Sequence, residues 1–320
     1  MRKLLQRDST TNKIIIPPQL TIVFIFLVIF TLSSVFVGGF LTYNNIFNLV
    51  RQTSINGVVA IGMTFVIITA GIDLSVGAVV GLSSVITSLM LVRTDNIPLS
   101  IATGILAGTV VGLINALAIF EGNVPAFIAT LGTQISTRGL VMLITKARLI
   151  AGLPERFTLF AQKTIIGIPS LAIVWFIVAA IGGFITRYTL FGRNIYAIGS
   201  NREASRLSGV NLRKNIYGVY VFASLLSAIA GILLTSRMAN GIPTAGTGFE
   251  QDAITAAVIG GASFYGGEGT IWGTMLGAMI MQTLRNSGTL LGIESFVLDI
   301  LVGALLIIAV MLDQLKKKQE

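Results

Sequence analysis

The chain has 320 residues, of which 54% are hydrophobic and only 11% charged, and its mean hydropathy is +0.88. Soluble domains carry about 25% charged residues, so this chain lacks the polar surface a soluble domain needs and reads as an integral membrane protein. It contains no Cys and no His, which excludes disulfide and thiolate chemistry and removes the usual imidazole base and zinc ligand; its net charge of +9 is not gathered with aromatics into a nucleic-acid-binding face.

A helix crosses the hydrocarbon core in about 20 residues. Residues 20–40 form the first apolar run of that length. It is longer than a signal-peptide core and has no convincing small-residue cleavage site after it, so it is expected to be a retained span. Residues 55–92 are too long for one crossing and fit two, broken near residues 71–73 in "AGIDLSVG". Further spans are expected at 97–120, 124–145 and 165–186. A polar stretch, 187–214, precedes the span 215–236. Two short apolar segments, 252–264 and 270–284, flank "YGGEG", and 296–312 is the last span.

The predicted fold class is therefore an all-α polytopic bundle of about ten transmembrane helices with two Gly-interrupted short-helix regions. It forms one membrane domain over residues 20–313, between tails at 1–19 and 314–320. With both tails inside, 13 of the 22 Lys and Arg residues fall in inside segments and eight outside, as the positive-inside rule requires. Eight spans, with the two short helices re-entrant, satisfy the same parity.

Several polar residues are out of place in lipid. A charge at the bilayer centre costs at least about 2.5–3.5 kcal/mol. Asp73 follows Gly71 and precedes Ser75 and Gly77. Either Asp73 or Ser75 can cap the next helix, and a capped break can also line a solute pathway. In the second break, "ASFYGGEGTIWG", Glu268 is again followed two residues later by a hydroxyl, a hint of internal duplication. Arg138, within "TLGTQISTRGLVMLI", is expected either to snorkel or to face a pathway or a carboxylate. Gly104, Gly108 and Gly112 recur every four residues, the close-packing pattern of membrane helices.

The longest polar stretch contains "GRNIYAIGSNREASRLSGVNLRK". Ser200 or Asn201 as N-cap, Glu203 in the first turn and Gly209 as stop predict a short helix outside the membrane. No G-x-x-x-x-G-K-[ST] phosphate loop occurs, so pumping would need a docked partner or an ion gradient.

"TAGIDLSVGAVVGLS", "FGRNIYAIGSNREASRLSGVN", "PTAGTGFEQDAITAAVIGGASFYGGEGTIWGT" and "VGALLIIAVMLDQLKKK" together resemble the membrane subunits of bacterial ABC importers for pentoses and hexoses, from about residue 42 to 314. The resemblance implies a homodimeric, non-enzymatic permease in the bacterial inner membrane, surrounded by membrane lipid. It would hold no cofactor of its own, with ATP and magnesium on a cytoplasmic tandem ATPase. An extracytoplasmic binding protein would deliver a monosaccharide, and "PTAGTGFE" leans towards ribose. It further implies an ATPase-coupling element at Gly192, Arg193, Asn201, Glu203, Ala204, Ser208 and Gly209. It places a pathway or gate at Gly71, Asp73, Ser75, Gly77, Arg138 and Glu268, and binding-protein docking at Pro243, Glu250 and Asp252. The rival reading is a stand-alone ion-coupled transporter using Asp73, Glu268 and Asp299.

Overall fold

The computed structural model describes residues 6–7, 14–15 and 18–317. The expected tails at 1–19 and 314–320 lie mostly outside these residues. The described chain is mainly helical: α1 (Pro18–Phe36), α2 (Tyr43–Ile68), α3 (Val76–Thr94), α4 (Ile97–Phe120), α5 (Ala126–Thr145), α6 (Glu155–Gln162), α7 (Ser170–Tyr188), α8 (Leu190–Ser200), α9 (Arg202–Leu207), α10 (Leu212–Met238), α11 (Phe249–Ile259), α12 (Ile271–Leu290) and α13 (Ser295–Lys317). The strands form two short antiparallel pairs: β1 (Gln6–Arg7) with β2 (Ile14–Ile15), and β3 (Thr164–Ile165) with β4 (Ile168–Pro169).

Each of the ten expected segments coincides with a helix, but their lengths differ. Among the described residues six helices are long and apolar enough to cross a membrane: α2, α3, α4, α5, α7 and α10. At 1.5 Å per residue, the 11 residues of α11 reach only about 16 Å, too short for a crossing. Two boundaries move for physical reasons. Helix α2 starts twelve residues before the expected position because its polar first turns find partners inside the bundle: Asn45 bonds Asn286 and Gln52 bonds Arg237. Helix α7 starts at Ser170 rather than 165, because residues 164–169 turn through the β3–β4 hairpin.

Helices α2, α10, α11 and α12 supply most of the core. The apolar window of α2 is 83% buried, that of α5 only 22%. A helix that is apolar on every side belongs in the centre, and residues 57–68 of α2 are buried throughout. The peripheral helices expose Phe24, Leu106, Leu143 and Phe176 on their outer faces, a belt that lipid covers.

The packing has an internal exchange. Helix α10 lies against α3 and α4, and α2 lies correspondingly against α11 and α12. Helix α3 packs on α5, and α11 on α13; α2 and α10 pack on each other. The unit α2–α5 is thus matched by α10–α13. This matches the connection 69–75 with the connection 239–248, each carrying Thr-Ala-Gly, rather than with the Glu268 break suggested by the acid–hydroxyl spacing.

The glycine stripe of α4 sits at the helix contacts. A β-carbon on Gly108 would run into Ala228 of α10 and Val79 of α3, whereas one on Gly139 of α5 would meet nothing within 4 Å. Gly108→Leu should therefore destabilise the purified chain by about 1–3 kcal/mol. Gly139→Leu should change it by no more than about 0.5 kcal/mol. Thermal unfolding in detergent checks the contrast; equal midpoints would contradict the packing.

Candidate functional site

The α2–α3 break, the α11–α12 break and the α8–α9 elbow meet at one end of the bundle. The Ile68 carbonyl, left free where α2 ends, accepts the Gly267 N–H at 2.8 Å. Gly199, at the end of α8, is pressed on that contact: a β-carbon there would fall on the Ile68 oxygen and the Gly267 nitrogen. Tyr196 of α8 donates its hydroxyl to the Gly269 carbonyl at 2.7 Å. Arg202 of α9 and Gly71 share the wall of a cavity of about 280 Å³ with Pro125 and Tyr220. The elbow therefore touches both breaks.

Helix α9 forms where the polar stretch predicts it. Asn201 is its N-cap, with Oδ1 accepting the Ala204 N–H at 2.9 Å. Gly209 follows it with φ +83°, a conformation that ends the helix at no steric cost to glycine. Glu203 and Arg206 pair at 2.5 Å on the exposed face, and the Arg206 guanidinium holds the Glu203 carboxyl below its usual range. Asn201, Glu203, Ala204, Ser208 and Gly209 are all exposed, and so is Leu207, at 76%. Of the other two residues expected here, Arg193 is exposed, and Gly192 is buried at the start of α8, where its N–H caps onto Thr189.

Asp73 is fully buried. Its Oδ1 accepts the Ser75 N–H at 2.8 Å and the Ser75 hydroxyl at 2.6 Å. Ser75 occupies the N-cap of α3, but its hydroxyl is turned to Asp73 and not to the helix. The aspartate thus shapes the turn before the helix, and the expected side-chain cap is absent. Asn115 of α4 donates to the Ser75 hydroxyl at 2.8 Å, and Thr133 of α5 donates to Asn115 at 2.6 Å. Glu268, by contrast, is exposed. In its break Thr270 caps α12 through the Gly273 N–H, so the two acids share spacing but not environment.

Arg138 turns inward. Its Nη1 donates to the Ala245 carbonyl at 2.6 Å and its Nη2 to the Gly77 carbonyl at 2.9 Å. One turn earlier, Gln134 donates to Glu250 at 3.1 Å. Helix α5 thereby pins the start of α3 to the 239–248 connection. Pro243, Glu250 and Asp252, expected at a docking surface, are all buried; Thr244, Thr247 and Gln251 are the exposed residues of that stretch. Asp252 instead pairs with Arg285 at 2.7 Å and accepts from Asn56 at 3.4 Å, while Arg285 also reaches Asp299 at 3.0 Å.

The sequence reading missed Tyr196, Gly199, Asn115, Gln134 and Arg285. Asn115 carries a detectable signal, as a lone amide within the apolar span "GLINALAIF". The others act through partners distant in the chain and leave no local pattern.

Three substitutions test this geometry. Asp73→Asn retains the acceptor oxygen and should keep the fold. Asp73→Ala leaves the buried Ser75 N–H unpaired and should cost about 1–3 kcal/mol. Arg138→Lys keeps the charge but lacks the planar fork that serves two carbonyls, and should also lower the unfolding midpoint. Thermal melts of the three variants decide; parental midpoints for Asp73→Ala and Arg138→Lys would show that these contacts do not hold the breaks.

The permease component of the branched-chain amino acid transport system matches as a family over residues 45–310. The ribose import permease protein RbsC of Bacillus subtilis (strain 168) is 43% identical over 280 residues, covering 87% of each chain. Its counterpart in Escherichia coli (strain K12) is 38% identical over 295 residues, covering 91% of this chain and 92% of that one. The D-allose transport system permease protein AlsC of the same strain is 38% identical, covering 87% of this chain and 86% of that one. No solved structure matches. With a family match across both breaks, the elbow and the Arg138 node, this chain belongs to that family of transport-system permease components.

Proposed function

We propose that the chain is the membrane permease subunit of an ATP-driven monosaccharide importer of the bacterial inner membrane, with ribose as the favoured cargo. The observation that carries the reading is the exposed α9 seated, through α8, on both helix breaks. The functions named for its relatives, ribose import and D-allose transport, favour a sugar. With the N-terminal tail cytoplasmic, crossings by α1 to α5 and α7 would return the chain to the cytoplasmic side at α9, where a tandem ATPase carrying ATP and magnesium would dock. Leu207 offers that ATPase an apolar knob, ringed by Asn201, Glu203, Ala204, Ser208 and Gly209, with Arg193 close in sequence.

Gly71, Asp73, Ser75 and Gly77 then form a gate that the elbow can move, with Arg138 as its brace and Glu268 at its cytoplasmic rim. The 239–248 connection faces the opposite side, where Thr244 and Thr247 would meet the sugar-binding protein and buried Pro243, Glu250 and Asp252 would shape the pathway behind them. A second copy of the chain would cover the open face of α5. The stand-alone ion-coupled reading is not favoured. Asp73 and Asp299 belong to separate networks, and among the described residues no group of three acids could hold a metal ion.

Tagged chain purified from native membranes should carry a tandem ATPase with it; intact, folded chain without one would overturn the proposal. Glu203→Ala and Leu207→Ala alter only exposed side chains, so protein level and unfolding midpoint should stay parental. Loss of a docking anchor should nevertheless lower sugar uptake roughly tenfold or more. Unchanged uptake in both would remove α9 from the coupling role.

A further inference from the structure

The polar groups around Asp252 do not close on one another. Between α2, α11 and α13 they leave a cavity of about 500 Å³, inside the range of about 300–1,000 Å³ typical of small-molecule sites. Gln52 and Asn56 of α2 form one wall, Phe249 and Asp252 of the first turn of α11 another, and Arg285 and Asp299 complete it. Lipid tails are an unsuitable filling, because they cannot solvate a carboxylate or a guanidinium.

The chemistry of the wall selects an occupant. Two primary amides supply donors and acceptors together, and Asp252 supplies a further acceptor. The Asn56 Oδ1 is buried without a hydrogen-bond partner among the described residues. Phe249 adds an apolar ring, against which a face of C–H groups can pack. A compact polyol with alternating hydroxyls and C–H faces needs this mixture. Arg285 is already paired with two carboxylates, Asp252 and Asp299, so the cluster carries an excess negative charge. It favours a neutral ligand and repels a phosphorylated one.

We infer that this cavity is a monosaccharide subsite on the extracytoplasmic half of the pathway, selective for neutral sugars over sugar phosphates. The inference rests on the reading of the chain as a sugar permease. It assigns recognition to the permease itself, at Gln52, Asn56, Phe249 and Asp252, in addition to whatever a binding protein contributes.

The absence of native cysteine makes a direct test clean. Asn56→Cys, Gln251→Cys and Thr94→Cys are introduced singly into the complete importer in vesicles and exposed to a polar thiol reagent from the extracytoplasmic side. Gln251 also lines the cavity, at an exposed position; Thr94, at the end of α3, is exposed and outside it. Modification is read from the mass of this chain. All three should react. Saturating D-ribose should slow labelling of Asn56→Cys and Gln251→Cys several-fold, leave Thr94→Cys unchanged, and be matched by no effect of D-ribose 5-phosphate. The subsite is overturned if both cavity cysteines stay unreactive while Thr94→Cys reacts, if ribose leaves their rates unchanged, or if the phosphate protects equally. Uptake by the unsubstituted importer separates the two levels. Uptake of ribose with unprotected cysteines rejects the subsite alone, whereas no uptake of ribose, allose, arabinose or xylose rejects the permease reading beneath it.

Discussion

Where a helix stops inside a bilayer, it releases N–H and C=O groups that lipid cannot satisfy. Three helix breaks among the described residues pose this demand, and the packing answers each. The α2–α3 and α11–α12 breaks serve one another through the Ile68 carbonyl and the Gly267 N–H. The 239–248 connection pairs with residue 150 at one end, through reciprocal bonds between Ile150 and Gly241. At the other end Arg138 donates to both Ala245 and Gly77. A guanidinium suits this role, because it carries several donors in a fixed fork and no acceptor of its own to satisfy. The same charge that looks anomalous in an apolar helix is thus the element that makes two broken backbones tolerable.

Helix α5 holds a special place in this arrangement. Thr133 ends the hydrogen-bonded chain that begins at Asp73, and Gln134 and Arg138 grip the 239–250 segment. Residues within two turns of one helix therefore reach both connections that the packing exchange relates, the first by way of Asn115 and Ser75. A shift of α5 along its axis alters both together. Since α5 is the least buried of the six long apolar helices, it also has the fewest core contacts opposing such a shift.

Much of this was legible in the sequence because membrane helices are read from length and hydropathy, which are local properties. The break at 71–73, the Asn201-capped helix and the α4 glycine stripe all carry local signatures and stand where expected. What escaped is long-range. The first turns of α2 look like a loop until Asn45 and Gln52 meet Asn286 and Arg237. Glu250 and Asp252 look like surface charges until the connection before them folds inward and delivers them to Gln134 and Arg285. Asp73 and Glu268 share a spacing, but burial depends on neighbours, and only Asp73 is enclosed.

The central position of α2 also bears on how the chain is made. Its partners α11 and α12 lie some 200 residues downstream, so α2 enters the membrane long before the surfaces that will enclose it exist. In that interval its apolar half faces lipid without penalty, while Asn45, Arg51 and Gln52 still lack Asn286, Gln162 and Arg237. Placing Asn45, Arg51 and Gln52 within the first ten positions of the helix keeps them within reach of the headgroup layer while they wait. The split between a polar opening and an apolar remainder is thus a solution to the order of synthesis as well as to the finished packing.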